Sequence, residues 1–297
     1  MSDKRHSSIK QVTRDKEEAI LLKKGAVKFS DSPVLSPILG TVKDDEPNKA
    51  LIERNLPLDT EEAVYRTIIA NTYNYMDSHD DVHLNNVFKK SLEETKKLFL
   101  LHDHKFEVTA QTGNILKAYE QEGRFLYYGY NSPLDTQALL LDVEIERVKN
   151  ELVFNEYKNH NINQHSVGMY YVKIDLAIDN HDDKEAYALY RKYLPQIGNA
   201  DEVEKQGYFF AVQEAKLKET SAVLMGSNPL TGIFDNNKSL KNDDEIVKMF
   251  DYLGKNIENK EIFNNICKQY VDTFKQVEPQ TSTQAVKKPS FYELMSK

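Results

Sequence analysis

The chain has 297 residues, 40% of them hydrophobic, with 17 tyrosines and no tryptophan, enough to bury one large core or two small ones. A formal net charge of -8, with 39 basic residues scattered among 47 acidic ones, excludes the clustered basic face of a nucleic-acid binder and argues against docking on anionic lipid. The single cysteine, Cys267, excludes an internal disulfide and a thiolate metal site, and no apolar run reaches the roughly 18 residues of a membrane span. With no apolar stretch at the N-terminus either, the expectation is a soluble protein of a reducing, intracellular compartment.

Residues 1–60 are polar and broken by Ser-Pro and Glu-Pro punctuation. They read as a flexible N-terminal arm with one transient helix near residues 15–24, or as a detachable pro-segment. Order begins near Glu61. Residues 63–70 and 73–75 are β-rich, and after the turn-prone Asp77-Ser78-His79-Asp80-Asp81 a helix is predicted over residues 85–97, with Val87, Phe88, Ser91 and Leu92 on one face and Asn85 or Asn86 as N-cap. Leu98-Phe99-Leu100-Leu101 is a short apolar strand that reaches the surface at His102-Asp103-His104.

Residues 106–111 and 114–119 look extended, and Glu120-Gln121-Glu122-Gly123 reads as a turn into residues 124–130, completing an aromatic hairpin. From Pro133 the period changes, and a helix capped by Asp135 is predicted to carry Ala138, Leu139, Leu141, Val143, Ile145 and Val148. A strand follows Ser166. A second helix over residues 183–194, within a helical insertion near 183–206, separates it from a β-rich run at residues 207–225. Alternation there puts Ala215, Leu217, Glu219, Ser221, Val223 and Met225 on one face, so Glu219 is the charged residue on the side expected to be buried. A buried carboxylate must be paired or hydrogen-bonded, because leaving it dry and alone costs several kcal/mol. Beyond residue 235 two amphipathic helices and a Pro/Ser/Thr/Gln tail make a separate C-terminal region, residues 235–297.

Three residue types in this pattern point to nucleophilic chemistry. Ser166, between His165 and Val167-Gly168 at the mouth of a strand, stands where a nucleophile would; His102 or His104 could be its base, and Glu219 could orient that base. The bland readings are a turn serine, a polar strand terminus or an HxH metal pair, and a Glu219–lysine ion pair. His165 alternates to the other face of its strand and is expected to pack or meet solvent.

Four stretches, in order, resemble the prohead proteases of tailed phages, the capsid-maturation serine proteases related in fold to herpesvirus assemblin. They are Tyr75 to Val82 with Asn86-Val87-Phe88-Lys89-Lys90-Ser91-Leu92; Leu100-Leu101-His102-Asp103-His104; Ser166-Val167-Gly168-Met169, preceded as in the family by a helix, here the one expected after Pro133; and Leu217-Lys218-Glu219-Thr220-Ser221-Ala222-Val223 with Asn228-Pro229. The chain departs from the family at Asn86, Val87 and Met169, none of them a reacting group. The match covers roughly residues 64–231.

The resemblance implies an α+β fold, a mostly antiparallel β-barrel surrounded by helices, with the protease domain at residues 61–234. It implies Ser166 as nucleophile, His104 as general base and then acid (His102 the alternative base), Glu219 as the third member where assemblin-like enzymes have a histidine, and backbone donors near Gly226 and Ser227 for the oxyanion. It implies a serine endopeptidase that cleaves scaffold protein or the scaffolding segment of the major capsid protein, and then itself, inside the assembling prohead in the host cytoplasm. No cofactor, metal, nucleic acid or membrane is implied, and a homodimer stays open. Self-cleavage is expected in the N-terminal arm and at residues 277–290. The alternative is a catalytically inactive capsid-assembly scaffold or binding protein that keeps the protease fold.

Overall fold

The computed structural model describes Ile9, residues 16–25 and residues 56–234. All of these fall in the first of the two units into which the chain divides, Met1–Lys241. The C-terminal helices expected from the sequence, and the cleavage region at residues 277–290, lie outside the described residues.

The fold is α+β. Helix α1 (Lys16–Gly25) precedes strands β1 (Ala63–Thr72) and β2 (Asp81–His83), helix α2 (Lys89–Glu94), and strands β3 (Phe99–His102), β4 (Gln111–Arg124) and β5 (Asp135–Glu146). Helix α3 (Glu151–Lys158), strand β6 (His165–Ile178), helices α4 (Lys184–Tyr193) and α5 (Ala200–Gln206), and strands β7 (Tyr208–Ala222) and β8 (Ile233–Phe234) complete it. The strands form one eight-stranded mixed sheet in the order β2-β7-β3-β4-β5-β1-β8, with β6 on the other edge of β7. All pairings are antiparallel except those that β2 and β3 make with β7, where they run parallel to its successive halves. Among the described residues no ladder joins β6 to β8, so the sheet is not closed. It bends nonetheless, because Val64 and Ile68 of β1 share a core with Ile174, Leu176 and Ile178 of β6.

The helix expected at residues 133–148 is strand β5. Leu139, Leu141, Val143 and Ile145 point into the main core, while Ala138 and Leu140 enter a separate cluster on the opposite face with Tyr127 and Tyr128. Burial on both faces erases the alternation by which a strand is recognised, and each of these leucine, valine and isoleucine side chains contributes about 2 kcal/mol of transfer free energy wherever it points. The helix of this region comes later, at α3, where the Asn150 side chain caps the Val153 N–H and Val153, Phe154 and Tyr157 are buried. The expected aromatic hairpin is also different: β4 runs unbroken through Gly123 and pairs with β5, and residues 125–128 form a 3-10 turn. A side chain at Gly123 would collide with the Tyr128 ring, which is why the strand has a glycine there.

Helix α2 is shorter than expected, six residues, and its N-cap position falls to Phe88 rather than Asn85 or Asn86, with no side-chain cap. Helix α4 begins where the sequence placed it, with the Asp183 carboxylate accepting the Ala186 N–H. At the N-terminus, α1 packs Ala19 and Ile20 against the core. Lys23 of α1 reaches the buried Asp81 carboxylate at 2.9 Å and lies over the Phe210 ring. Among the described residues no helix is long and apolar enough to cross a membrane.

Candidate active site

The site is built on a face switch in β7. Leu217 and Ala222 both belong to the main core although they stand five positions apart, an odd spacing that unbroken alternation forbids. The switch coincides with a bulge: Gly168 pairs with Glu219, but the next residue of β6, Met169, pairs with Leu217, leaving Lys218 over. Val167 and Met169 therefore both pack on the core, and Glu219 and Ser221 turn to the other side of the sheet. Glu219 does not share a face with Leu217, contrary to the alternation read from the sequence. It is nevertheless fully buried, because the loop after β3 covers it.

That loop carries His104. Strand β3 ends at His102, and Asp103 and His104 both adopt left-handed backbone, with φ of 52° and 54°. Two successive non-glycine residues in that region hold only where their surroundings impose it. Here the Asp103 N–H donates to the Ala222 carbonyl at 3.0 Å, and the His104 N–H donates to the Ser221 hydroxyl at 3.0 Å. The His104 imidazole is thereby laid over Glu219, with Nδ1 2.6 Å from Oε1. A carboxylate only accepts, so this contact puts the proton on Nδ1 and leaves Nε2 as the basic nitrogen. The other oxygen, Oε2, accepts the Ser221 hydroxyl proton at 2.6 Å.

Ser166 belongs to the same face. It pairs directly with Ser221 across the β6–β7 ladder, and Gly168, two residues on, pairs with Glu219. Side chains so paired stand about 5 Å apart at Cβ, and Ser166 and Gly168 lie about 7 Å apart along the strand. Gly168 has a steric reason to be glycine: a Cβ there would stand 2.1 Å from Glu219 Oε1. Ser166 is half-buried, and among the described residues no hydrogen bond joins its hydroxyl to His104.

His102 and His104 do not share a face. His102 pairs with Ala222, whose neighbour Ser221 lies on the site face, so His102 points away from Glu219; its Nδ1 lies 3.2 Å from Asp103. Among the described residues no three His, Cys, Asp or Glu side chains converge as metal ligands. His165, on the core side of β6, is fully buried between Thr231 and Tyr157. Its Nδ1–H donates to the Thr231 carbonyl at 3.0 Å and its Nε2 accepts the Tyr157 hydroxyl at 2.9 Å. Burial pushes its pKa down to about 4, so the ring is neutral at ordinary pH.

The turn at Gly226 and Ser227 reaches the start of β6, but its groups are engaged within the fold. The Gly226 N–H donates to Gln164 Oε1 at 2.8 Å, and the Ser227 carbonyl accepts the Ser78 N–H at 3.2 Å. Residues 228–231 then bind that end of β6 to β1: the Asn228 amide donates to Asn71 and to the Thr72 carbonyl, and the Thr231 hydroxyl accepts the His165 N–H.

No family model, curated protein or solved structure matches this chain.

An open groove of about 430 Å³ flanks the site, walled by Phe99, Phe106 and Tyr170 with Lys97 and Lys218 at its rim. Phe99 pairs with Glu219, and Phe106 follows His104 by two residues, so groove and site share their elements. Sequence reasoning missed two members of this constellation. Ser221 was visible two residues beyond Glu219 on one strand face, and Gly168 two beyond Ser166; what the sequence lacked was any sign of the bulge that turns Glu219 and Ser221 to the site face, opposite Gly168 and Ser166.

Proposed function

We propose that the chain is a serine endopeptidase of the prohead-protease type, with Ser166 as nucleophile, His104 as general base and then acid, and Glu219 as the group that orients the imidazole. One observation carries the reading: the 2.6 Å contact between His104 Nδ1 and a fully buried Glu219, made on the strand pair that holds Ser166. An imidazole whose Nδ1 is committed to a carboxylate offers Nε2 to the proton of a hydroxyl, and the carboxylate stabilises the imidazolium that results. In catalysis Ser166 Oγ attacks the scissile carbonyl as Nε2 takes its proton; the imidazolium then protonates the leaving amine, and water repeats the exchange on the acyl-enzyme. The hydroxyl-to-imidazole contact tightens when substrate is bound, as is common for such pairs.

A peptide would lie extended in the flanking groove. The oxyanion donors belong to the 226–227 turn, where the Gly226 N–H would exchange Gln164 for the substrate oxygen. The fold in this reading is a barrel, its gap between β6 and β1 bridged by residues 228–233, and its substrates are phage scaffold protein and the scaffolding part of the major capsid protein within a prohead. The alternative is an inactive assembly protein of the same fold, favoured by the engagement of the Gly226 N–H and by the missing Ser166–His104 hydrogen bond.

A fluorophosphonate probe separates the two. The peptidase takes up one label at Ser166 and loses it in Ser166→Ala, and the intact mass of the purified wild type falls below that of Ser166→Ala through self-cleavage. A wild-type protein that takes up no label and has the same processing as Ser166→Ala sinks the peptidase reading.

A further inference from the structure

We propose that Ser221 is a positioning residue of this site, its single hydroxyl fixing the Glu219 carboxylate and the His104 backbone together so that the imidazole has one orientation and one tautomer. The inference rests on the reading of Ser166, His104 and Glu219 as a triad. Its support is geometric. Ser221 is fully buried, donates to Glu219 Oε2 at 2.6 Å and accepts from the His104 N–H at 3.0 Å. A serine hydroxyl has one proton to give and two lone pairs to accept with, so both bonds form at once.

Each bond restrains a separate freedom. A glutamate carboxylate turns readily about its last torsion, and pinning Oε2 leaves Oε1 as the oxygen turned to Nδ1. The His104 loop has two consecutive left-handed residues off the strand end; its other bonds, Asp103 N–H to Ala222, Lys105 N–H to the His102 carbonyl and the Asp103 carboxylate to His102 and Lys105, hold the turn but leave the His104 N–H to Ser221. Without the hydroxyl the buried Oε2 and the His104 N–H would both lose their partner, and the imidazole could swing away or take its proton on Nε2. Ser221 also stands directly across the ladder from Ser166, so the residue that orients the base neighbours the proposed nucleophile.

The test compares wild type with Ser221→Ala, Ser221→Cys and Ser221→Thr, using two readouts. The first is the rate of fluorophosphonate labelling at Ser166, with kcat and KM on a peptide that spans a mapped self-cleavage site. The second is the tautomer of His104 from imidazole ¹⁵N shifts, assigned by comparison with His104→Gln. The wild type is expected to hold His104 as the Nδ1–H tautomer. Ser221→Ala should lower kcat and labelling about 100-fold, the scale of a misplacement near 1 Å, with KM little changed and Nε2–H signal appearing. Ser221→Thr should restore both, and Ser221→Cys, close in size but a poor donor, should show the same losses as alanine and takes its place if the alanine protein fails to fold.

Wild-type kcat together with an unmixed Nδ1–H tautomer in Ser221→Ala or Ser221→Cys overturns the inference, as does a label that maps to Ser221. Should the wild type take no label at all, the protease reading fails by itself. The tautomer comparison then still decides whether Ser221 sets the imidazole.

Discussion

Replacing Gly168 by alanine tests the site through a residue with no functional group. The added methyl would stand 2.1 Å from Glu219 Oε1, 2.8 Å from Cδ and 2.9 Å from Cγ, so the whole carboxylate obstructs it. To reach even a tight 3.0 Å, Oε1 must retreat by about 0.9 Å. Glu219 is fully buried and its other oxygen is held by Ser221, so the retreat comes at the cost of the contact with His104. A shift of that size takes the contact, now 2.6 Å, out of its present geometry whichever way the carboxylate moves. A charge-assisted bond of this kind contributes about 1.5–3 kcal/mol, and displacing a catalytic base by 1 Å costs about 100-fold in rate. Overpacking adds a stability loss of about 1–3 kcal/mol. The assay is the second-order rate of fluorophosphonate labelling at Ser166, run beside urea unfolding to separate lost activity from lost fold. Wild-type labelling by a folded Gly168→Ala protein would show that Glu219 need not lie over Gly168 for the chemistry, and the geometric case for the triad would fall.

Glu219→Gln should stay folded, because the amide still fills the site and can still meet Ser221, but turnover should fall by roughly 100- to 10,000-fold as the imidazolium loses its charge partner; turnover like the wild type's would move the third role elsewhere. His165 gives a stability signature. Its folded pKa, about 4, lies below the ordinary 6.5, so between those values the unfolded chain binds more protons than the native one. Stability from this residue is complete above pH 6.5 and is lost as pH falls toward 4, by about 3 kcal/mol in all. Denaturant unfolding at a series of pH values should therefore find a steeper acid loss in wild type than in His165→Asn, and parallel curves for the two would refute the assignment.

How much of this was legible in the sequence depends on which interactions set each element. Strand β1 and helix α4 were readable because their signals are local: a β-branched run in one, an aspartate N-cap with apolar spacing in the other. Strand β5 was misread because the usual cue is one-sided burial, and β5 is covered on both faces. Its leucine run suits a helix equally well, and the choice between them is made by pairing on both edges, with the preceding strand β4 on one and with β1, far off in sequence, on the other. Helix α3 was the opposite case, a local signal overlooked: Asn150 caps, and Val153, Phe154 and Tyr157 follow at helical spacing.

The site divides along the same line. Ser166, His104 and Glu219 could be named from residue type and order, whereas the geometry that relates two of them arises from backbone irregularities that no residue type announces. Perfect alternation along β7 would place Glu219 beside Leu217, inside the aliphatic core, where a carboxylate has no partner. One surplus residue, Lys218, turns the strand over and presents Glu219 to the loop, and two left-handed residues turn that loop back over the strand. Neither device is sufficient alone: without the bulge the carboxylate faces away from the loop, and without the left-handed turn the imidazole follows β3 outward as His102 does. Both irregularities carry a conformational cost and they meet at a single 2.6 Å contact, so the proposed peptidase reading stands or falls on the His104–Glu219 pair.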